Sequence, residues 1–129
     1  MLKEKLLKYI IILMVLMFLA NELTFKFHLQ YSIWWLDIPL HFFGGVWVGL
    51  FFLYVFYQKN YLLKDVAGVL LCVLCIGIFW EVFEYIVFNR IGGDSFNLTD
   101  TLSDIGFDIL GGFCAILYLW KKQDIRQPK

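Results

Sequence analysis

Three sets of ionisable residues in this chain have spacings that could do chemistry. Asp37 and His41 stand four residues apart, Glu81 and Glu84 three apart, and Asp100, Asp104 and Asp108 follow one another at fours. Separations of three and four align side chains on one face of a helix. Each set interrupts an apolar run, as Glu81 and Glu84 do in WEVFEY. A carboxylate at the centre of a bilayer costs roughly 2.5–3.5 kcal/mol even on the most lenient insertion scale, so such residues turn inward and find partners. If Glu81, Glu84, Asp104 and Asp108 converge, His41 offers at most one positive charge against four negative ones. They cannot all stay ionised: some bind protons, or a cation sits among them. Facing helices that gather Glu and His are a recurrent way to hold one or two metals. Imidazole with carboxylates suits zinc, manganese or iron, whereas all-oxygen sites suit magnesium or calcium. The expected cofactor is a divalent metal ion of open identity, held by His41, Glu81, Glu84, Asp104 and Asp108. Protonated acids bonded across helices, or a proton or ion path, are the alternatives.

The elements that must position these residues follow from composition. Of 129 residues 61% are hydrophobic and the mean hydropathy is +0.74, against about 45–50% apolar in soluble domains. This is an integral membrane protein of one domain. Zero net charge excludes a nucleic-acid binder held by bulk charge. Crossing about 30 Å of hydrocarbon takes roughly 20 helical residues. Four stretches qualify: 6–23, 37–58, 66–88 and 101–120. The expected fold is therefore all-α, a four-helix transmembrane bundle occupying residues 1–129. The first span looks like a signal peptide, but Phe18 and Leu19 before Ala20 do not make a small-x-small cleavage site, so it is read as uncleaved. Residues 24–36 alternate apolar and polar and end in Trp34 and Trp35, which predicts an extended interfacial segment. A helical continuation of the first span is the alternative. Gly92 and Gly93 break the third connection, and Thr99 or Asp100 is expected to cap the last span. Asn97-Leu98-Thr99 matches a glycosylation sequon but sits too close to that helix to be a good acceptor. Cys72, Cys75 and Cys114 lie in apolar runs and read as small packing residues.

Orientation comes from the basic residues. Lys3, Lys5, Lys8, Lys59, Lys64, Lys121, Lys122, Arg126 and Lys129 fall on one side of a four-span layout, and only Lys26 and Arg90 on the other. This positive-inside bias predicts that both termini are cytoplasmic. Asp37, Glu84 and Asp100 then sit toward the outer surface. Asp108 lies about 12 Å deeper than Asp100 at 1.5 Å per residue. Glu22, at the end of the first span, could join this layer. The same helical faces continue into Gly45, Gly49, Gly77 and Gly112, small residues that let membrane helices approach closely.

The order D-x-x-x-H-F (Asp37 to Phe42), then Glu81 and Glu84, then Arg90, then D-x-x-x-D-x-x-G (Asp104 to Gly111) resembles the VanZ-like and YjdF-like small bacterial membrane proteins. Ile38, Glu84 and Asp108 stand where the VanZ-like pattern has lysine, glutamine and asparagine. Asp100-Thr101 with Asp104 and Asp108 is nearer the YjdF-like version. The resemblance implies a multi-pass protein of the bacterial inner membrane, acting at the cell envelope. The first functional reading is a metal-dependent enzyme on a lipid head group or envelope precursor. Glu81 or Asp104 would be general base, His41 a ligand or proton shuttle, and Arg90 an anion clamp. Asp37 and Asp100 would bind substrate or cap their helices. The alternatives are a non-catalytic envelope factor linked to antibiotic resistance and an ion-coupled transporter. The latter would need a homo-oligomer to enclose a path. Membrane lipids are the expected partners.

Overall fold

The computed structural model describes residues 2–56, 63–90 and 97–124. They form α1 (Leu2–Lys26), a short α2 (Leu29–Ser32), a 3-10 turn (Trp34–Leu36), α3 (Asp37–Val55), α4 (Leu63–Arg90) and α5 (Leu98–Asp124). Lys3–Lys26, Asp37–Val55, Asp65–Val87 and Leu98–Lys122 are long and apolar enough to cross a membrane. Four crossings put the start of α1 and the end of α5 on the same membrane face. The expectations for residues 57–62, 91–96 and 125–129 lie outside the described residues, including the glycine break and part of the basic tail.

Residues 24–36 are not extended. α1 continues helically to Lys26, His28 turns the chain with φ of 51°, and two short helical turns lead into α3. An extended segment here would have no neighbouring strand to pair its backbone groups, whereas helical turns pair them locally. The amide of Ile33 donates to the Leu29 carbonyl, and that of Leu36 to the Ile33 carbonyl. Near the membrane that local pairing outweighs a period-two pattern in the side chains.

α3 is the hub. It packs most extensively on α5 and also touches α1 and α4, while no substantial contact joins α1 to α4. The α3–α5 seam is tight because of its small residues. A Cβ on Gly49 would lie 2.9 Å from the Ala115 Cβ and 3.3 Å from the Gly112 Cα. At Gly45 an added methyl would run into the backbone of Asp108, and at Gly111 into the backbone of Phe42. Two backbones in near contact are possible only without side chains between them. The apolar core fills the half of the bundle away from the acidic residues, with Leu6, Leu53, Val69, Val73 and Leu119 almost fully buried.

α1 follows this core only at its start. Leu6 and Ile10 are buried, whereas Met14 and Phe18 are 51% and 62% exposed. The Trp47 indole of α3 donates to the Ile10 carbonyl at 3.1 Å, and Tyr9 meets Tyr118 edge-on at 6.1 Å. Lys122 lies over both of these rings and donates to the Tyr118 hydroxyl, while Lys3 covers Tyr54 at 5.1 Å. Lys3 and Lys122 therefore cover aromatic rings at one end of the bundle, as Lys26 covers Phe27 at the other. The acidic cluster lies toward the Lys26 end.

Candidate metal centre

Asp37 opens α3 with no side-chain cap on that end. One turn later His41 points inward and is only 5% exposed. The helical period makes this face continuous with Gly45, Val48 and Gly49, all buried. Asp104, Asp108, Gly111, Gly112 and Ala115 form the matching buried stripe on α5. The acidic residues thus prolong the tightest seam in the molecule, and the packing that closes the seam fixes where they stand.

His41 is the centre of the cluster. On one edge of the ring, Nδ1 lies 3.4 Å from Asp108 Oδ2. An ionised carboxylate can only accept, so Nδ1 donates this bond, and in the neutral ring Nε2 is then the nitrogen with the free lone pair. On the other edge, Nε2 lies 3.7 Å from Asp37 Oδ2 and 3.8 Å from Glu81 Oε1. Both separations exceed the roughly 2.7–3.2 Å of an N–H···O bond. Glu81 Oε1 is sealed from solvent and finds no hydrogen-bond partner among the described residues, although the Thr101 side chain of α5 hydrogen-bonds the same carboxyl group. Asp104 is 4% exposed.

Two triads can each bring one ligand atom apiece to within 4.8 Å of the others: Asp37, His41 and Glu84, and His41, Glu81 and Asp104. Five of the acidic and imidazole residues singled out by spacing are therefore brought together in ligand sets. Asp108 is not in either set. It lies one turn deeper than Asp104, about 6 Å along the helix, and reaches the ring from its Nδ1 edge. It holds the imidazole through that edge. A notch in α4 makes room for it, since a Cβ on Gly77 would sit 2.6 Å from Asp108 Oδ2. Metal-binding histidines commonly donate their second ring nitrogen to a carboxylate in this way.

Other expectations change. Asp100 is exposed and belongs to neither triad. It does not cap α5, and nor does Thr99. Asn97 Oδ1 accepts from the amides of Thr99 at 3.1 Å and Asp100 at 3.5 Å. Asparagine is among the best N-caps, and that was the available signal in the sequon. Asp37 points at His41 and leaves the start of α3 uncapped. Glu22 is exposed on α1. Arg90 ends α4, and its side chain lies outside the described residues.

A cavity of about 360 Å³ opens on one triad only. Met14, Met17, Phe18 and Asn21 of α1 form one wall, and Ile76, Trp80 and Glu84 of α4 the other. Asp37, His41, Gly44 and Gly45 form its floor, with Asp108 behind. Glu81 and Asp104 do not line it, so the second triad is the enclosed one. The contribution of α1 was missed from sequence. Its one signal was Asn21, an amide inside an apolar span.

The family described as Predicted membrane protein (DUF2238) matches residues 1–124. The chain belongs to the DUF2238 family. A relative in Thermotoga maritima, described as an uncharacterized protein, is 28% identical over 99 residues, which cover 71% of this chain and 51% of that protein. The DUF2238 chain thus spans about half the length of that relative. No solved structure matches it.

Proposed function

We propose that this multi-pass membrane protein binds a divalent metal ion between His41, Glu81 and Asp104, and that a membrane-borne substrate in the α1–α4 groove reaches the ion past His41, the residue shared by the groove and this triad. One observation carries the reading. Buried His41, the sealed Glu81 Oε1 that has no hydrogen-bond partner among the described residues, and buried Asp104 bring ligand atoms to within 4.8 Å of one another. Two carboxylates gathered on one imidazole are the arrangement a cation stabilises. Two ligands bound to one zinc-like ion at about 2.0–2.2 Å stand at most roughly 4.3 Å apart. The 3.8 Å between His41 Nε2 and Glu81 Oε1 falls inside that bound.

An ion held there would polarise a phosphoryl or carbonyl oxygen and make water a better nucleophile near neutral pH. The residues supply the rest. Asp108 keeps the imidazole turned, and Glu81 would meet the ion through Oε1, the oxygen without a donor. Asp104 balances the ion's charge. The nine-to-two distribution of basic residues supports cytoplasmic termini, which would set this site near the outer leaflet. The resemblance of its motifs to VanZ-like and YjdF-like proteins supports the inner membrane and an envelope precursor or lipid head group as substrate. A transporter is disfavoured because the interior beyond Asp108 is apolar core among the described residues.

Elemental analysis of the detergent-purified protein tests the proposal. We expect one divalent metal per chain, and a chelator should lower the melting temperature. A ligand that binds only the folded state at a hundredfold excess over Kd contributes about 2.7 kcal/mol. Metal-free protein that melts identically with and without chelator would discard the site.

A further inference from the structure

The cluster has two faces, and only one of them is enclosed. Asp37 and Glu84 line the cavity together with His41, whereas Glu81 and Asp104 lie outside it. If the ion occupies the enclosed triad, as proposed above, the charges of Glu81 and Asp104 are balanced and those of Asp37 and Glu84 are not. Among the described residues no lysine or arginine lines the cavity, so no described basic side chain in the groove wall offsets them. Trp80 stands one turn before Glu84 on α4, is hydrogen-bonded to its carboxyl group, and is 44% exposed. A carboxylate pair beside an indole face is a combination that attracts an ammonium group, by charge and by cation–π contact.

The rest of the cavity is hydrocarbon in character. Met14, Phe18 and Ile76 face one another across the gap left where α1 and α4 do not pack. These walls lie within spans, so the gap opens sideways into the acyl chains of the bilayer. Its apolar length leads to the acidic end without crossing water. We infer that the α1–α4 groove binds a bilayer lipid whose head group carries an ammonium, with the ammonium between Asp37, Glu84 and Trp80 and a chain along Met14, Phe18 and Ile76. This rests on the proposed metal reading only for the placement of the ion in the other triad.

The test uses the groove's own indoles, Trp47 and Trp80, in a chain with Trp34, Trp35 and Trp120 replaced by Phe. The protein is placed in phosphatidylglycerol vesicles doped with brominated-chain phosphatidylethanolamine, or with brominated-chain phosphatidylglycerol at the same fraction. Bromine quenches an indole on contact. The expected result is at least twofold stronger quenching by the ethanolamine lipid. The excess should disappear in the Asp37→Asn Glu84→Gln double variant and persist in Glu22→Gln, an exposed acid outside the groove. Equal quenching by the two lipids overturns the inference, as does an excess that survives the double variant. Indoles shielded from both lipids, with a dimer on cross-linking, would mean that a second copy covers the groove, and would also overturn it. Metal content is measured on the same samples. A metal-free protein that still prefers the ethanolamine lipid refutes the metal reading and leaves the lipid site standing.

Discussion

Gly77→Ala separates the seating of His41 from the stability of the bundle. The added Cβ would lie 2.6 Å from Asp108 Oδ2 and 3.4 Å from its Cγ. Ordinary van der Waals contact begins near 3.4 Å, so Oδ2 must retreat by about 0.8 Å. Asp108 cannot shift as a whole, because its backbone is pressed against Gly45. The carboxylate must rotate instead, and rotation takes Oδ2 off Nδ1. At 3.4 Å that bond has no slack, since a contact of 3.6 Å no longer counts as one. Losing it costs about 0.5–1.5 kcal/mol, and overpacking adds roughly 1–3 kcal/mol. The helix gain from glycine to alanine returns about 0.5–1 kcal/mol. The net is a destabilisation of roughly 0.5–4 kcal/mol, with a midpoint near 2.

Metal affinity should respond more steeply. Removing the carboxylate partner of a ligating histidine typically costs 10–100-fold. Two neighbours serve as controls. At Gly106 an added Cβ meets nothing within 4 Å, and at Gly44 only Met17 Cε at 3.7 Å and Asp108 Oδ1 at 3.8 Å. Gly106→Ala should be neutral or stabilising and Gly44→Ala close to neutral, both with metal affinity unchanged. Reversible unfolding in detergent gives the first quantity, and metal titration against a competing chelator the second. If Gly77→Ala binds metal as the parent does, Asp108 does not seat His41 and the reasoning fails.

Glu81→Gln should lower metal retention at least tenfold with little loss of helicity, because the amide keeps the shape and loses the charge; a higher melting temperature with normal function would identify a structural acid instead. Trp47→Phe removes the bond to the Ile10 carbonyl and should cost about 0.5–1.5 kcal/mol. It should also loosen α1, read as faster proteolysis between α1 and α3. Cysteine placed at the exposed Ser32 should react with an impermeant reagent in whole cells, and at the exposed Lys121 only after permeabilisation. The reverse pattern would invert the orientation and move the site to the inner leaflet.

Why some of this was legible in the sequence and some was not follows from the range of each signal. The four spans were legible because apolar length is a local property, as in Asp65–Val87. The convergence of His41 with Glu81 and Asp104 was legible because buried charge has few places to go in hydrocarbon, and helical spacing names the face. Asp108 meets the ring from the Nδ1 edge, and its spacing did not show this. Spacing of four puts Asp104 and Asp108 on one face but says nothing of which edge of an imidazole each will meet. That depends on how deeply α5 slides along α3, which is set by the fit of Gly45 and Gly111 into opposing backbone, a relation between residues more than sixty positions apart. The groove was hidden for a related reason. Its cause is a contact that does not form, between α1 and α4, and composition cannot register one. Met14 and Phe18 read as lipid-facing residues of an ordinary span, and only the divergence of α1 beyond Ile10 makes them the wall of a site.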